Sequence, residues 1–280
     1  MIVGLSISAS PDLAALGFGN EHLRAVMIEV AQHLLVAGHD LAYGGDLRPG
    51  GFTFDLAELV RAYVPVDEDA ARLRIRSYLA WPIHLHSPAN ELADLQTVGT
   101  LKQVDAPPEA ASEGETPFAK ARGLNEMRRL MADQIGARIA LGGKTFGYSG
   151  LLPGIAEEVL LMLEAGKPVY LLGAFGGCTR LIVQALRSGV LPPGLTPERV
   201  DGESDPELGR RIELAKSYAD RAPDRPNYDR LRTALSKGMS ALCARNGLTV
   251  EENELLFTSP DDQLLLALVL KGLASIGGGV

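Results

Sequence analysis

The chain has 280 residues and a formal charge of −8, with a pI near 5.2; that balance argues against gripping nucleic acid or an anionic membrane, because neutralising phosphates takes a basic surface. Its length allows a self-sufficient core. Its two cysteines, Cys178 and Cys243, lie far apart without a CxxC or Cys/His spacing, which argues against a disulfide framework or structural zinc and points to a reducing cytoplasm.

Along the chain, short apolar runs alternate with longer runs of helical spacing, the pattern of βαβ units and a mostly parallel sheet. The opening MIVGLSIS lacks a basic start and a cleavage signal, so it reads as a buried first strand and not a targeting peptide. NEHLRAVMIEVAQHLLVAG reads as a helix closed by Gly38, HDLAYGGD as a second strand, FDLAELVRAY as a helix and RIRSYLAWPI as a third strand. The stretch from Ser87 to Glu115, rich in Pro, Glu and Ala, reads as loop with weak helical content. After it come GLNEMRRLMADQIG as helix, ARIALGG as strand, PGIAEEVLLMLEAG as helix with Pro153 near its start, KPVYLLGAFGG as strand and CTRLIVQALRSG as helix.

From Val190 the segment LPPGLTPERVDGESDPELG reads as a linker or long surface connection. DRLRTALSKGMSALCARNG and DDQLLLALVLKGL then have helical spacing; the second is too short and too charged at its ends for a membrane span. The expected fold is α/β, a Rossmann-like doubly wound, mostly parallel sheet with helices on both faces and a C-terminal helical extension. Its expected divisions are a sheet domain over 1–190, a connecting segment over 191–226 and the helical extension over 227–280.

Three strand ends are rich in glycine: Tyr43 to Asp46, Gly142 to Gly150, and Gly173 to Gly177. In open α/β sheets ligands bind at the carboxyl ends of strands, where glycines let the backbone turn sharply and approach a phosphate. A helix starting near Pro153 or Gly154 would aim its free amides at the same crevice and favour an anion. Neither GxxxxGK[ST] nor a GxGxxG after the first strand is present, which counts against a P-loop NTPase and an ordinary NAD dehydrogenase. The convergence suggests a nucleotide-like ligand.

The segment GLNEMRRLMADQIGARIALGGKTFGYSGLLPGIAEE resembles that of the LOG proteins, phosphoribohydrolases that activate cytokinins, in which an arginine-bearing helix precedes a strand, a PGG-x-GT-x-x-E loop and a helix. VGLSISAS and LAYGGDL resemble that family's first strand and its VYGGG turn. The wider grouping is the SLOG superfamily, which also contains Smf/DprA proteins and nucleotide-sensor domains of bacterial conflict systems. The resemblance spans Ile2 to Gly189 in the right order and makes 1–190 a nucleotide-binding domain of this type.

Carried over residue by residue, the family's glutamate falls on Glu158, and its arginine on Arg128 or, one register along, on Arg129. In a hydrolase of this type Glu158 would steer water and stabilise an oxocarbenium-like ribose carbon while Arg128 orients the substrate. The chain departs from the motif: Leu141 stands where the proline would precede Gly142, Ile155 stands for the threonine, and the loop from Lys144 to Leu152 is longer. That longer loop, with Tyr148 available to stack on a base, resembles the sensor members more than the hydrolases. The expected ligand contacts are Ser8, Gly44, Gly45, Asp46, Arg128, Arg129, Gly142, Gly143, Thr145, Gly147, Tyr148, Gly154, Glu157, Glu158, Gly173 and Gly176.

Plainer readings stand beside these. Acids such as Glu157 and Glu158 are favoured in a first helical turn by the dipole alone, and paired arginines are usually a solvated face. Ser6 and Ser10 are set below Ser8 as phosphate or ribose contacts. His84 and His86 in WPIHLH share a face if the strand continues, but with no third ligand at a telling spacing no metal is expected. Cys178 reads as a small buried residue, not a nucleophile, and Trp81 as core or interface.

The expected function is the sensing of a nucleotide or nucleotide-derived signal, such as ADP-ribose or a cyclic relative, in a prokaryotic defence or stress system. The alternatives are a phosphoribohydrolase using Glu158 and Arg128, and an interaction module without a ligand. No cofactor, nucleic acid or membrane partner is expected. A homo-oligomer, with the helices from Asn227 as contacts, and an effector protein partner complete the expectation.

Overall fold

The computed structural model describes residues 1–45, 50–63 and 74–277. Six strands form one sheet: β1 (Ile2–Ser8), β2 (Asp40–Tyr43), β3 (Ile75–Leu79), β4 (Thr100–Gln103), β5 (Ala137–Gly142) and β6 (Val169–Leu172). The order is β4-β3-β2-β1-β5-β6 and every pairing is parallel. The chain winds outward from β1 to β4, then crosses back to lay β5 on the other side of β1, so strand order reverses between β1 and β5. A crevice opens beyond the carboxyl ends of the strands at such a switch point, and the register that sets Ser8 beside Gly142 defines its edge.

Both faces of the sheet are covered, and the period of two along β5 shows how. Ile139 and Leu141 join one core with Leu5, Leu34, Leu56 and Leu265; Ala140 points the other way to Met131, Leu160 and Ile182. The first core lies under α1 (Asn20–Val36), α2 (Phe52–Tyr63) and α11 (Asp262–Gly277). The second lies under α4 (Pro117–Gln134), α5 (Gly154–Glu164), α6 (Gly177–Ser188) and α8 (Tyr228–Leu235). A smaller cluster of Trp81, Phe118, Leu151, Leu214 and Tyr218 fastens α7 (Asp205–Arg221) to α4.

Helix α4 starts where the sequence supplies a cap: Thr116 accepts from the Ala119 amide at 3.1 Å, and Pro117 stands at the first helical position. At the far edge of the sheet, α9 (Gly238–Asn246) and α10 (Val250–Thr258) close over β6. Tyr170 Oη donates to the Asn246 carbonyl at 2.9 Å, and Asn246 Nδ2 donates to the Val169 carbonyl at 3.1 Å, which occupies polar groups an open edge would leave bare. No helix among the described residues is long and apolar enough to cross a membrane.

The fold corrects four local expectations. Between Ser87 and Glu115 lie α3 (Ala89–Gln96) and the edge strand β4. With four residues and mostly exposed side chains, β4 carries no apolar period to betray it. The third strand stops at Leu79, and after the cis Trp81–Pro82 bond a 3-10 turn over Ile83–His86 replaces the strand face on which His84 and His86 would have met. His84 instead reaches the Val104 carbonyl at 3.1 Å, and His86 pairs with Glu115. The 191–226 stretch read as a connection contains the 17-residue helix α7, begun by a Ser204–Glu207 capping box. The single helix expected from Asp229 is two, α8 and α9, parted where Gly238 takes φ +68.

Candidate functional site

A cavity of about 610 Å³ opens at the β1/β5 switch point. The end of β1 contributes Ser6 and Ser8, the end of β2 contributes Tyr43, Gly44 and Gly45, and the N-terminal ends of α1 and α2 contribute Asn20, Arg24 and Phe52. Arg128 reaches in from α4; Lys144, Gly147, Tyr148 and Ser149 from the loop after β5; Gly154, Ile155 and Glu158 from the start of α5. Three helix N-termini thus converge on one space, as the winding of a parallel sheet requires.

The two glutamates at the start of α5 divide the work. Glu157 is buried away from the cavity: Oε1 accepts from Asn125 Nδ2 at 2.5 Å and Oε2 from Arg128 Nη1 at 2.8 Å. Glu158 lies on the cavity wall, and its Oε2 accepts from Ser6 Oγ and from Arg138 Nη1, the latter at 2.8 Å. Arg128 Nε stands 3.6 Å from Glu158 Oε1. Arg128 is therefore placed between two carboxylates; burial alone would lower its pKa, but the attraction of Glu157 and Glu158 prevails and raises it. Its guanidinium lies across the N-terminus of α5, where a Cβ on Gly154 would come within 2.8 Å of Nη2, so only glycine lets it settle there.

Of the two arginines left open by the motif, Arg128 is the one turned inward. Arg129 is on the solvent side of α4, paired with Glu126 at 2.6 Å and Asp133 at 3.4 Å. Tyr148 lines the cavity but is buried, and its hydroxyl shares a 2.8 Å hydrogen bond with Tyr228; burial pushes its phenol pKa well up. Ser8, Gly44, Gly45, Gly147 and Gly154 also line the cavity. Asp46 lies outside the described residues.

The remaining glycines serve the backbone elsewhere. Gly142 and Gly143 take φ +68 and +112 and turn the chain beneath the cavity, with the Gly143 amide donating to Ser8 O at 2.9 Å; neither they nor the buried Thr145 is on its lining. Gly173 packs under α10, where a Cβ would lie 2.8 Å from Phe257 O. Gly176 turns into α6, and there Asp12 Oδ1 accepts from the Gly177 amide at 2.7 Å. A carboxylate of the chain itself thus occupies the helix start that the GAFGG glycines had suggested for a phosphate. Cys178 is fully buried beside this turn, and burial pushes its thiol up to about 12, which keeps it protonated and inert at neutral pH.

Sequence reasoning passed over Arg24, Asn20, Lys144 and Ser149, ordinary surface types whose only signal is a place beside a glycine turn or near a helix start. It set Ser6 below Ser8, although Ser6 holds Glu158. It gave Arg138 no role, yet a charged residue within the apolar run ARIALGG was a signal in plain view.

The chain belongs to the SLOG cluster2 family, whose model matches residues 1–256. That membership supports a nucleotide-related binding or LOG-like function. The solved structure of TM1055, a Northeast Structural Genomics Consortium target, is similar over 78% of this chain and 99% of that chain, at 16% identity and a TM-score of 0.41. No curated protein matches the chain.

Proposed function

We propose that this chain binds a nucleotide-derived small molecule of the ADP-ribose type in the switch-point cavity and acts as its sensor, in a defence or stress system of the kind the family resemblance implies. The charge of the lining carries the reading. Among the described residues Arg24, Arg128 and Lys144 oppose the single carboxylate of Glu158, a local excess of two positive charges in a chain of net −8. Arg24 shares Asp55 and Arg128 lies between the two glutamates. Lys144 has no hydrogen-bond or ion-pair partner among the described residues and is the cation most available to a phosphate. The cavity's 610 Å³ lies within the roughly 300–1,000 Å³ of small-molecule sites.

Binding without turnover is favoured by the state of Glu158. Its Oε2 is committed to Ser6 and Arg138, and Arg128 stands beside Oε1, so one oxygen is already engaged by the protein and the other is flanked by a guanidinium, a poor arrangement for activating water. A second reading rests on the same group: Oε1 accepts no hydrogen bond from the protein among the described residues, and an anion there could stabilise an oxocarbenium-like carbon during N-glycosidic hydrolysis. Mass spectrometry of bound and free fractions, after incubation with nucleoside monophosphates, NAD, ADP-ribose and cyclic ADP-ribose isomers, separates the two. Intact ligand retained by the protein is the expected result. Free base accumulating with time, and abolished by Glu158→Gln, would replace sensing by hydrolysis; indifference to every compound would overturn both.

A further inference from the structure

Arg138 is an anomaly in β5. The strand is buried along its whole length, where a central parallel strand is normally apolar throughout, yet it carries a guanidinium that is 0% exposed. Taking such a charge out of water is costly, and a buried ion pair is often matched or bettered in stability by apolar residues of similar volume. The site is also incompletely satisfied: Arg138 Nε and Nη2 are buried without a hydrogen-bond partner among the described residues, a further cost to the fold. Burial accordingly drives the Arg138 pKa down, against the pull of Glu158. Packing gives no reason for this arginine to be here.

Its polar partners supply a reason. Arg138 Nη1 donates to Ser6 Oγ at 2.6 Å and to Glu158 Oε2 at 2.8 Å, while Ser6 Oγ donates to the same Oε2. Ser6 comes from β1 and Arg138 from β5, so two neighbouring strands hold one oxygen of the carboxylate that α5 presents. The other oxygen, Oε1, accepts no hydrogen bond among the described residues and is not among their sealed, partnerless polar atoms, while Arg128 Nε stands 3.6 Å away.

We infer that Arg138 is the positioning residue of the site: by holding Glu158 Oε2 it fixes the direction of that carboxyl group, so that Oε1 receives hydroxyl donors of the ligand, which in a nucleotide are those of the ribose. Arg138 does not line the cavity and acts only through Glu158. The inference deepens the nucleotide-binding reading and rests on it.

A double-mutant cycle tests it. ADP-ribose affinity is measured by calorimetry for the unaltered chain, Arg138→Met, Arg138→Lys, Glu158→Gln and the Arg138→Met/Glu158→Gln pair, with a melting curve for each. Arg138→Met and Glu158→Gln should each weaken binding by about tenfold or more, the pair should be no weaker than the poorer single variant, and Arg138→Lys should recover part of the loss. A ligand lacking one ribose hydroxyl should bind the unaltered chain more weakly, and that preference should shrink in Arg138→Met. Equal losses in both Glu158 backgrounds would make Arg138 merely structural and overturn the inference while nucleotide binding stood. No ADP-ribose binding by the unaltered chain would overturn the reading beneath it as well. If Arg138→Met does not fold, Arg138→Lys and Ser6→Ala with Glu158→Gln complete the same cycle with the same two outcomes.

Discussion

The strand ends after β5 and β6 look alike in sequence, each an apolar run falling into glycines before a helix, but the structure treats them in opposite ways. After β5, the α5 N-terminus faces the cavity with a guanidinium laid across it and Glu158 on the wall. After β6, the α6 N-terminus is filled by Asp12, brought from the loop after β1 to bond the Gly177 amide. A helix start attracts negative charge wherever it occurs. It becomes a candidate ligand site when the protein leaves it to the solvent or arms it with a cation, and an internal joint when the chain brings its own carboxylate. Glycine content reports the turn, not which of these follows.

The largest effect that would sharpen this contrast lies at the armed end. Arg128→Met strips the partner from Glu157, which is 2% exposed, and should cost about 3–5 kcal/mol because a buried carboxylate is left unpaired; chemical denaturation measures it. At the filled end, Asp12→Ala should lose about 0.5–2 kcal/mol, the usual worth of a cap at a helix start, and leave nucleotide retention unchanged. If Asp12→Ala abolished retention and Glu158→Gln did not, the two ends would have been assigned the wrong way round.

Cys178 gives a pH test at the same joint. Its pKa in the fold is raised from an ordinary 9.0 to about 12, so the folded state holds the proton more tightly. The stabilisation is fully present below pH 9.0 and is lost as pH rises toward 12. Denaturation midpoints measured over that window should fall, and Cys178→Ala should fall less. The smallest effect is expected at exposed Lys144: Lys144→Gln should weaken binding of an anionic nucleotide by about 1 kcal/mol or less, and the difference should fade as salt is added.

Much of the fold could be read from the sequence because it is written locally. The runs MIVGLSIS and ARIALGG sit between helical periods, and a strand buried on both faces has to be apolar, so β1, β2, β5, β6 and the helices between them follow from pattern. β4 and α3 escaped because an exposed edge strand needs no apolar period. Helix α7 escaped behind prolines and acids although its Ser204–Glu207 box was a usable start signal. For the site, the resemblance singled out Glu158 and a choice of two arginines. It could not separate Arg128 from Arg129, whose inward and outward directions depend on how α4 lies on the sheet.

By itself the sequence determined the alternation of strands and helices, the glycine turns at three strand ends and the acidic pair in the first turn of α5, since each depends on neighbours a few residues apart. Only the tertiary structure decided that Glu157 is turned away to Asn125 and Arg128, that Ser6 and Arg138 hold Glu158, and that Asp12 closes the α6 end. Those partners lie up to 165 residues apart. They meet because β5 is laid beside β1 in one register, and a slip of a single residue would turn Arg138 to the opposite face of the sheet.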